Sequence, residues 1–207
     1  MPDLELELAR ADVRWGAALG ILQSGFWVVA REGISPRSFM RTALGFPDEY
    51  IESEVSTVFL DDKPVDDIDG ATLVDGSRLA LSAAMPGLVG AVMRRHSPYA
   101  AFRETISHRG SAAGAAAGST AGGPGMVAAR AGKSSAGGEA IRLRVKLFNS
   151  VMRDRGPEVL AKGIFLDAAR AGEQLAALSV DLPARDEADH IGGSGDEIFL
   201  RVREAQR

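Results

Sequence analysis

The organisation of this chain is decided by residues 110–138, which read GSAAGAAAGSTAGGPGMVAARAGKSSAGG. Ten of these 29 residues are Ala, nine are Gly and four are Ser, and only Met126 and Val127 carry large apolar side chains. Such a segment buries too little apolar surface to offset the entropy of ordering its backbone. It is therefore predicted to be a flexible linker between two folded lobes, residues 1–109 and 139–207.

The sequence before the linker predicts a mixture of strands and helices. Leu4 to Leu8 alternates Leu with Glu, which is typical of a strand with one apolar face. Residues 12–31 fit two structures: a helix capped by Asp12, or a hairpin that turns at residues 23–25. The helical spacing of the apolar side chains slightly favours the helix, but both alternatives stay open.

The rest of this lobe has clearer boundaries. Ser35-Pro36 predicts the start of a short helix that runs through Leu44, with Gly45 at its end. Strands are expected at residues 56–61 and 78–82, with turns at Asp61–Pro64 and Asp75-Gly76. A helix is expected over residues 88–105, with an interruption at Pro98.

The sequence after the linker predicts a small sheet with short helices. Residues 141–148 and 196–204 alternate apolar with charged or aromatic side chains, which indicates two strands, and helices are expected around 157–162 and 168–178. If the two strands pair, five cations share one face, which is either solvated or a docking site for an acidic partner. These cations are Arg142, Arg144, Lys146, Arg201 and Arg203.

Three segments before the linker follow a recognisable order. They read TVFLDDKPV at residues 57–65, ATLVDGSRLAL at residues 71–81 and MPGLVG at residues 85–90. Together they resemble the C-terminal half of the ubiquitin-like β-grasp sulfur carriers of thiamine and molybdopterin biosynthesis. The resemblance implies a β-grasp-like core in residues 1–109.

The end of this segment departs from the family pattern. The carriers end in a Gly-Gly whose free carboxylate is adenylated and thiolated, whereas here Leu88-Val89 separates Gly87 from Gly90 and the chain continues. Sulfur transfer would therefore require proteolysis after Gly87 or Gly90. The segment is otherwise a packed turn or an exposed contact tail, and the contact residues would be Met85, Pro86, Gly87, Leu88 and Gly90.

The composition and motifs point away from several chemistries. The chain has no cysteine, which excludes disulfides and thiolate nucleophiles, and its net charge is −4. The acidic residues between Asp61 and Asp75 lack the ligand positions of a calcium loop, and His96, His108 and His190 do not follow metal-binding spacing. We therefore expect no catalytic residues, metal, cofactor, nucleic acid or membrane contact.

The fold class predicted from these observations is α+β, with a β-grasp-like domain, a flexible linker and a small α+β domain. The expected function is a non-catalytic, cytoplasmic interaction or adaptor protein that binds another protein, possibly an acidic one. One alternative is an enzyme or enzyme subunit that binds an anionic ligand between the lobes, using Arg94, Arg95, His96 and Arg103. The other alternative is the proteolytically processed sulfur carrier.

Overall fold

Strands from both sides of the glycine-rich segment meet in the computed structural model, which describes residues 3–103, 105–108, 139–180 and 197–205. The strands are β1 (Asp3–Leu8), β2 (Phe26–Arg31), β3 (Thr57–Leu60), β4 (Lys63–Pro64), β5 (Arg78–Ser82), β6 (Ala140–Phe148), β7 (Ile164–Asp167) and β8 (Glu197–Glu204). The helices are α1 (Val13–Ser24), α2 (Pro36–Phe39), α3 (Asp48–Ser53), α4 (Gly87–Met93), α5 (Asn149–Lys162) and α6 (Ala168–Ala176). A π-helical turn at Met40–Leu44 extends α2, and a 3-10 turn spans Ala100–Arg103. The α+β class is confirmed.

All eight strands belong to one mixed sheet, in the order β1-β8-β7-β2-β6-β5-β3-β4. The β1–β8 and β5–β6 pairs are parallel, and the other pairs are antiparallel. Because β6 lies between β2 and β5, strands from residues 1–109 and 139–207 alternate across the sheet. The β-grasp core and the separate small C-terminal sheet are therefore not confirmed. The predicted linker, residues 110–138, lies outside the described residues.

From the sequence, the two basic strands would form one basic surface if they paired with each other, and they do not pair. β6 and β8 are not neighbours, because β7 and β2 lie between them. β7 was not predicted from the sequence, because its four residues are too few to show a period. The start of α5 was predicted near Pro157, whereas this helix begins at Asn149 and contains Pro157 in its interior.

Each of the two alternatives for residues 12–31 is correct for part of the segment: the first part is a helix and the second part is a strand. The helix α1 forms over Val13–Ser24 with Asp12 as its N-cap, whose side chain accepts a hydrogen bond from the Arg14 backbone N–H. The chain then leaves the helix at Gly25, which has φ +113°, and continues as β2. The helix at residues 36–44 is confirmed, with Ser35 as its cap and Gly45 at its end in a left-handed conformation.

The core lies on one face of the sheet. Alternate strand residues such as Phe26, Leu143 and Leu200 are fully buried and belong to one apolar cluster with buried residues of α1 and α5. The two helices approach closely at Gly156, where a Cβ atom would lie 2.6 Å from the Leu19 Cδ2 atom. The alternate residues of the strands point to the opposite face, which we call the outer face.

The Asp75-Gly76 turn fastens β5 to β6. The Gly76 N–H donates to the Arg142 carbonyl at 2.8 Å, and the Asp75 carboxylate accepts from the Arg142 N–H at 2.8 Å. Gly76 has φ +78°, and a Cβ atom there would have no neighbour within 4 Å. Its requirement for glycine is therefore one of backbone conformation and not of space.

We expect Gly76→Val to lower the free energy of unfolding by about 1–3 kcal/mol, the cost of a β-branched residue in the left-handed region. The measurement is chemical denaturation followed by circular dichroism. Gly16→Ala is the matched control, because Gly16 lies in α1 with free space around it. This control should raise stability by about 0.5–1 kcal/mol. Equal stabilities of the two variants would contradict the conformational role of Gly76.

Candidate interaction surfaces

The segment that follows β5 exposes apolar side chains on a short helix. Pro86 precedes α4 in an extended conformation, and Gly87 begins the helix with φ +77°. Leu88 and Val89 follow, and 72% and 69% of their surfaces are exposed. Of the two alternatives left open for this segment, the packed turn and the exposed contact tail, the first helical turn fits the exposed one.

Two of the predicted contact residues have supporting positions instead. Met85 is half-buried and Gly90 is buried. A Cβ atom at Gly90 would collide with the Met85 backbone carbonyl, so glycine is required where α4 lies against the turn that leads into it. Pro86, Gly87 and Leu88 are exposed and available for contact.

More exposed apolar residues follow α4 closely. Tyr99, Phe102 and Ile106 are 46%, 81% and 48% exposed, and the Tyr99 and Phe102 rings stack with centroids 6.4 Å apart. Five of the eight large apolar residues that are exposed in the described part of the chain therefore fall between residues 88 and 106. We call Leu88, Val89, Tyr99, Phe102 and Ile106 the α4 surface.

A buried arginine holds the α4 surface in place. The Arg103 side chain is fully buried, and its guanidinium donates to Asp66 Oδ1 at 2.6 Å and to Ser107 Oγ at 2.8 Å. It also donates to the carbonyls of Val92 at 2.6 Å and Arg94 at 3.1 Å. These bonds tie α4, the 3-10 turn and the loop after β4 together. Arg103 is therefore a structural residue, and its predicted role in binding an anion is wrong.

The predicted basic residues lie on the outer face but are separated by aromatic side chains. Trp27 on β2 is in register with Phe165 on β7, and Phe165 is in register with Phe199 on β8. This aromatic row stands between the cations of β6 and those of β8. The Arg142 guanidinium lies 5.6 Å from the Trp27 ring centroid, within the range of a cation–π interaction.

Two of the five cations are neutralised within the sheet. Arg142 pairs with Glu197, and Arg201 pairs with Glu5 at 2.6 Å. Arg144, Lys146 and Arg203 form no salt bridge with any residue that the structure describes. The outer face therefore combines aromatic surface with positive charge that no described residue neutralises.

A groove of about 480 Å³ opens where α3 ends and α5 begins. Arg94, Arg95 and His96 line it, as do three serines. These three basic residues were grouped from the sequence as possible anion ligands, and the structure brings them together. The serines were missed because they come from three different places: Ser53 ends α3, Ser56 lies in the loop between α3 and β3, and Ser150 is on α5.

Comparisons of the chain with family models, with curated proteins and with solved structures gave no match. Within the described ranges, no group of three or more His, Asp or Glu side chains is placed to hold a metal ion. Among the helices of these same ranges, none combines the length and the apolar character needed to cross a bilayer.

Proposed function

We propose that this chain is a non-catalytic interaction protein that binds another protein through the α4 surface. The observation that carries the proposal is the concentration of exposed apolar side chains at residues 88–106. Single exposed apolar residues are normal on a protein surface, whereas a cluster of them is typical of an interaction site. Leu88, Val89 and Phe102 each expose more than two thirds of their surface.

The hydrogen bonds around Arg103 support binding by the α4 surface. Arg103 fixes the backbone on both sides of the 3-10 turn, so the exposed side chains are presented on an ordered base. A preformed surface pays less ordering entropy when it binds a partner. Phe102 is the best candidate for the central contact because aromatic side chains bury large areas and are enriched at interfaces.

The outer face favours an acidic partner. Arg144, Lys146 and Arg203 offer positive charge, and the row of Trp27, Phe165 and Phe199 offers apolar contact beside it. Charges at the rim of an interface chiefly raise the rate of association, so this face would speed the association of an acidic protein more than it would strengthen its binding.

The sulfur-carrier alternative is less favoured, because Gly90 is buried in α4.

We expect Leu88→Asp to abolish capture of the partner while the fold stays intact, because a carboxylate at an exposed position costs folding little but cannot be buried in an apolar interface. The measurement is quantitative affinity capture from the native host, with circular dichroism as the test of folding. Val13→Asp is the matched control, because Val13 is 89% exposed and lies on α1.

The proposal is supported only if a protein captured by the wild type and by Val13→Asp is lost with Leu88→Asp. Equal capture by all three proteins would show that the α4 surface is not the binding site.

Phe102→Ala tests the same surface without adding a charge. It should weaken binding by at least about tenfold if Phe102 is a central contact.

A further inference from the structure

Three aromatic side chains form a row across the middle of the sheet on its outer face. Trp27 on β2 is in register with Phe165 on β7, and Phe165 is in register with Phe199 on β8. Neighbouring strands lie about 4.8 Å apart, so the row is about 10 Å long. The three side chains are half-buried, and the buried residues of α1, α5 and α6 lie in the core on the opposite face. The rings therefore form a partly exposed platform outside the core.

Two cations on β6 lie beside this platform. Arg144 is in register with Trp27 and continues the row by one strand. The Arg144 and Lys146 side chains both lie over Gly25, since a Cβ atom there would be 3.1 Å from Arg144 Nε and 3.4 Å from Lys146 Cε. Both side chains are partly exposed, and neither forms a salt bridge with a residue that the structure describes. Accessible positive charge thus converges next to the aromatic row.

The acidic residues of the outer face do not cancel this charge. The outward positions of β2, β6, β7 and β8 carry six cations, Arg31, Arg142, Arg144, Lys146, Arg201 and Arg203, and two acids, Asp167 and Glu197. Of the acids, Glu197 pairs with Arg142, and Asp167 caps α6 by accepting from the Ala169 N–H.

The other acids of this face are on β1, at the border of the sheet. They are Asp3, Glu5 and Glu7. Three strands separate β1 from β6, which places these acids about 19 Å from the β6 cations. This distance exceeds the Debye length of about 8 Å at physiological salt. The potential of the outer face is therefore positive around β6 and negative only at the β1 border.

Aromatic surface beside positive charge matches the chemistry of single-stranded nucleic acid. Its bases are free to stack on Trp and Phe rings, and its phosphates bind Arg and Lys. Bases also stack on guanidinium planes, and the Arg142 guanidinium lies 5.6 Å from the Trp27 ring centroid and 5.9 Å from that of Phe165. A duplex keeps its bases stacked inside, and an acidic peptide offers charge without planar groups. The combination favours a single strand over both.

We propose that the outer face binds a single strand of DNA or RNA. Its bases stack on the Trp27 and Phe165 rings and on the Arg142 guanidinium. Its phosphates contact Arg144 and Lys146. The expectation of no nucleic-acid contact was drawn from the whole chain, whose net charge of −4 does not describe one face. The site uses none of the residues of the α4 surface, so it goes beyond the proposed function.

The first test follows the tryptophan fluorescence of the full chain during titration with oligothymidylate or oligouridylate of about 12 nucleotides at low salt. Both strands should quench the fluorescence, and the tighter of the two identifies DNA or RNA as the preferred ligand. The chain has two tryptophans, and Trp15 is only 7% exposed, so quenching reports on Trp27. Trp27→Phe should lose the quenching but keep its affinity within about threefold, because phenylalanine also stacks on bases. This affinity is measured by fluorescence anisotropy of a labelled strand.

The second test removes charge. Arg144→Gln combined with Lys146→Gln should weaken binding by about tenfold or more. It should also reduce the slope of log affinity against log salt concentration by about 1.4, since each phosphate contact of a single strand contributes about 0.7. Arg41→Gln combined with Arg170→Gln makes the same change in net charge on exposed helical residues away from the outer face. This control should bind like wild type, and circular dichroism checks that both variants are folded.

The third test removes stacking without changing charge. Phe165→Leu should weaken binding by about fivefold or more and leave the salt slope unchanged, whereas Tyr99→Leu on the α4 surface should have no effect. The proposal would be overturned if neither oligonucleotide quenched the wild-type fluorescence, or if the two charge variants bound equally well. Equal affinity for a duplex of the same length, or tighter binding of polyglutamate than of either strand, would also overturn it, because charge alone would then explain the binding.

Discussion

Residues 1–109 produced without the rest of the chain are expected to be unfolded. This fragment lacks β6, which lies between β2 and β5, and lacks β8, the partner of β1. Loss of these strands exposes Phe26, Leu79 and Leu81 and leaves both sides of β2 without hydrogen-bond partners. Because domains are stable by only about 5–15 kcal/mol, the fragment cannot lose this much burial and remain folded.

The measurement is thermal melting of the fragment, followed by circular dichroism. A non-cooperative melt of residues 1–109 is expected, and addition of a separate 139–207 fragment should restore a cooperative one. Trypsin cleavage at Arg130 or Lys133 of the intact protein should yield two pieces that elute together in gel filtration. A cooperative melt of residues 1–109 alone would instead support two independent lobes.

Arg103→Met is expected to lower the free energy of unfolding by about 1–3 kcal/mol, because backbone carbonyls lose a buried donor while Asp66, whose side chain is 40% exposed, stays solvated. The fully buried guanidinium satisfies Asp66, Ser107 and two backbone carbonyls. Methionine fills much of the volume but leaves these acceptors without donors, and each buried unsatisfied group costs about 1–3 kcal/mol.

Arg41→Met is the control for this variant, because Arg41 is exposed and its contact with Asp48 is 3.4 Å long. Exposed pairs of this kind contribute about 0–1 kcal/mol, so the control should unfold at nearly the wild-type denaturant concentration. Urea denaturation of both variants gives the comparison. A wild-type midpoint for Arg103→Met would show that the segment around α4 is held by other contacts.

The sequence was informative about local structure and misleading about how it assembles. The alternation in residues 141–148 and 196–204 predicted β6 and β8 correctly, and Ser35-Pro36 and Gly45 marked both ends of a helix. Alternation tells which side of a strand is buried but not which strand lies beside it. The strand order depends on non-local pairing, and a glycine-rich stretch between strands does not prevent them from sharing a sheet.

The same limit applied to the candidate sites. Exposure of Leu88 could be named as one of two alternatives, the other being a packed turn, since an apolar segment with two glycines follows a strand. The aromatic row of Trp27, Phe165 and Phe199 could not, because its members lie on three strands that are distant in sequence. Arg103 was grouped with Arg94 and Arg95 by proximity in the chain, but its burial depends on Asp66, which comes from a different loop.

The two outermost strands of the sheet are both protected against the addition of another strand. At one border, β4 has only two residues, and its Pro64 has no N–H to donate while its carbonyl already accepts from His108. At the other, β1 carries Asp3, Glu5 and Glu7 at alternate positions, so a second copy paired there would set like charges against each other. Partners that bind an extended peptide by β-augmentation thus find no suitable edge on the sheet of the described residues, and recognition depends on side chains on the helix and on the sheet faces.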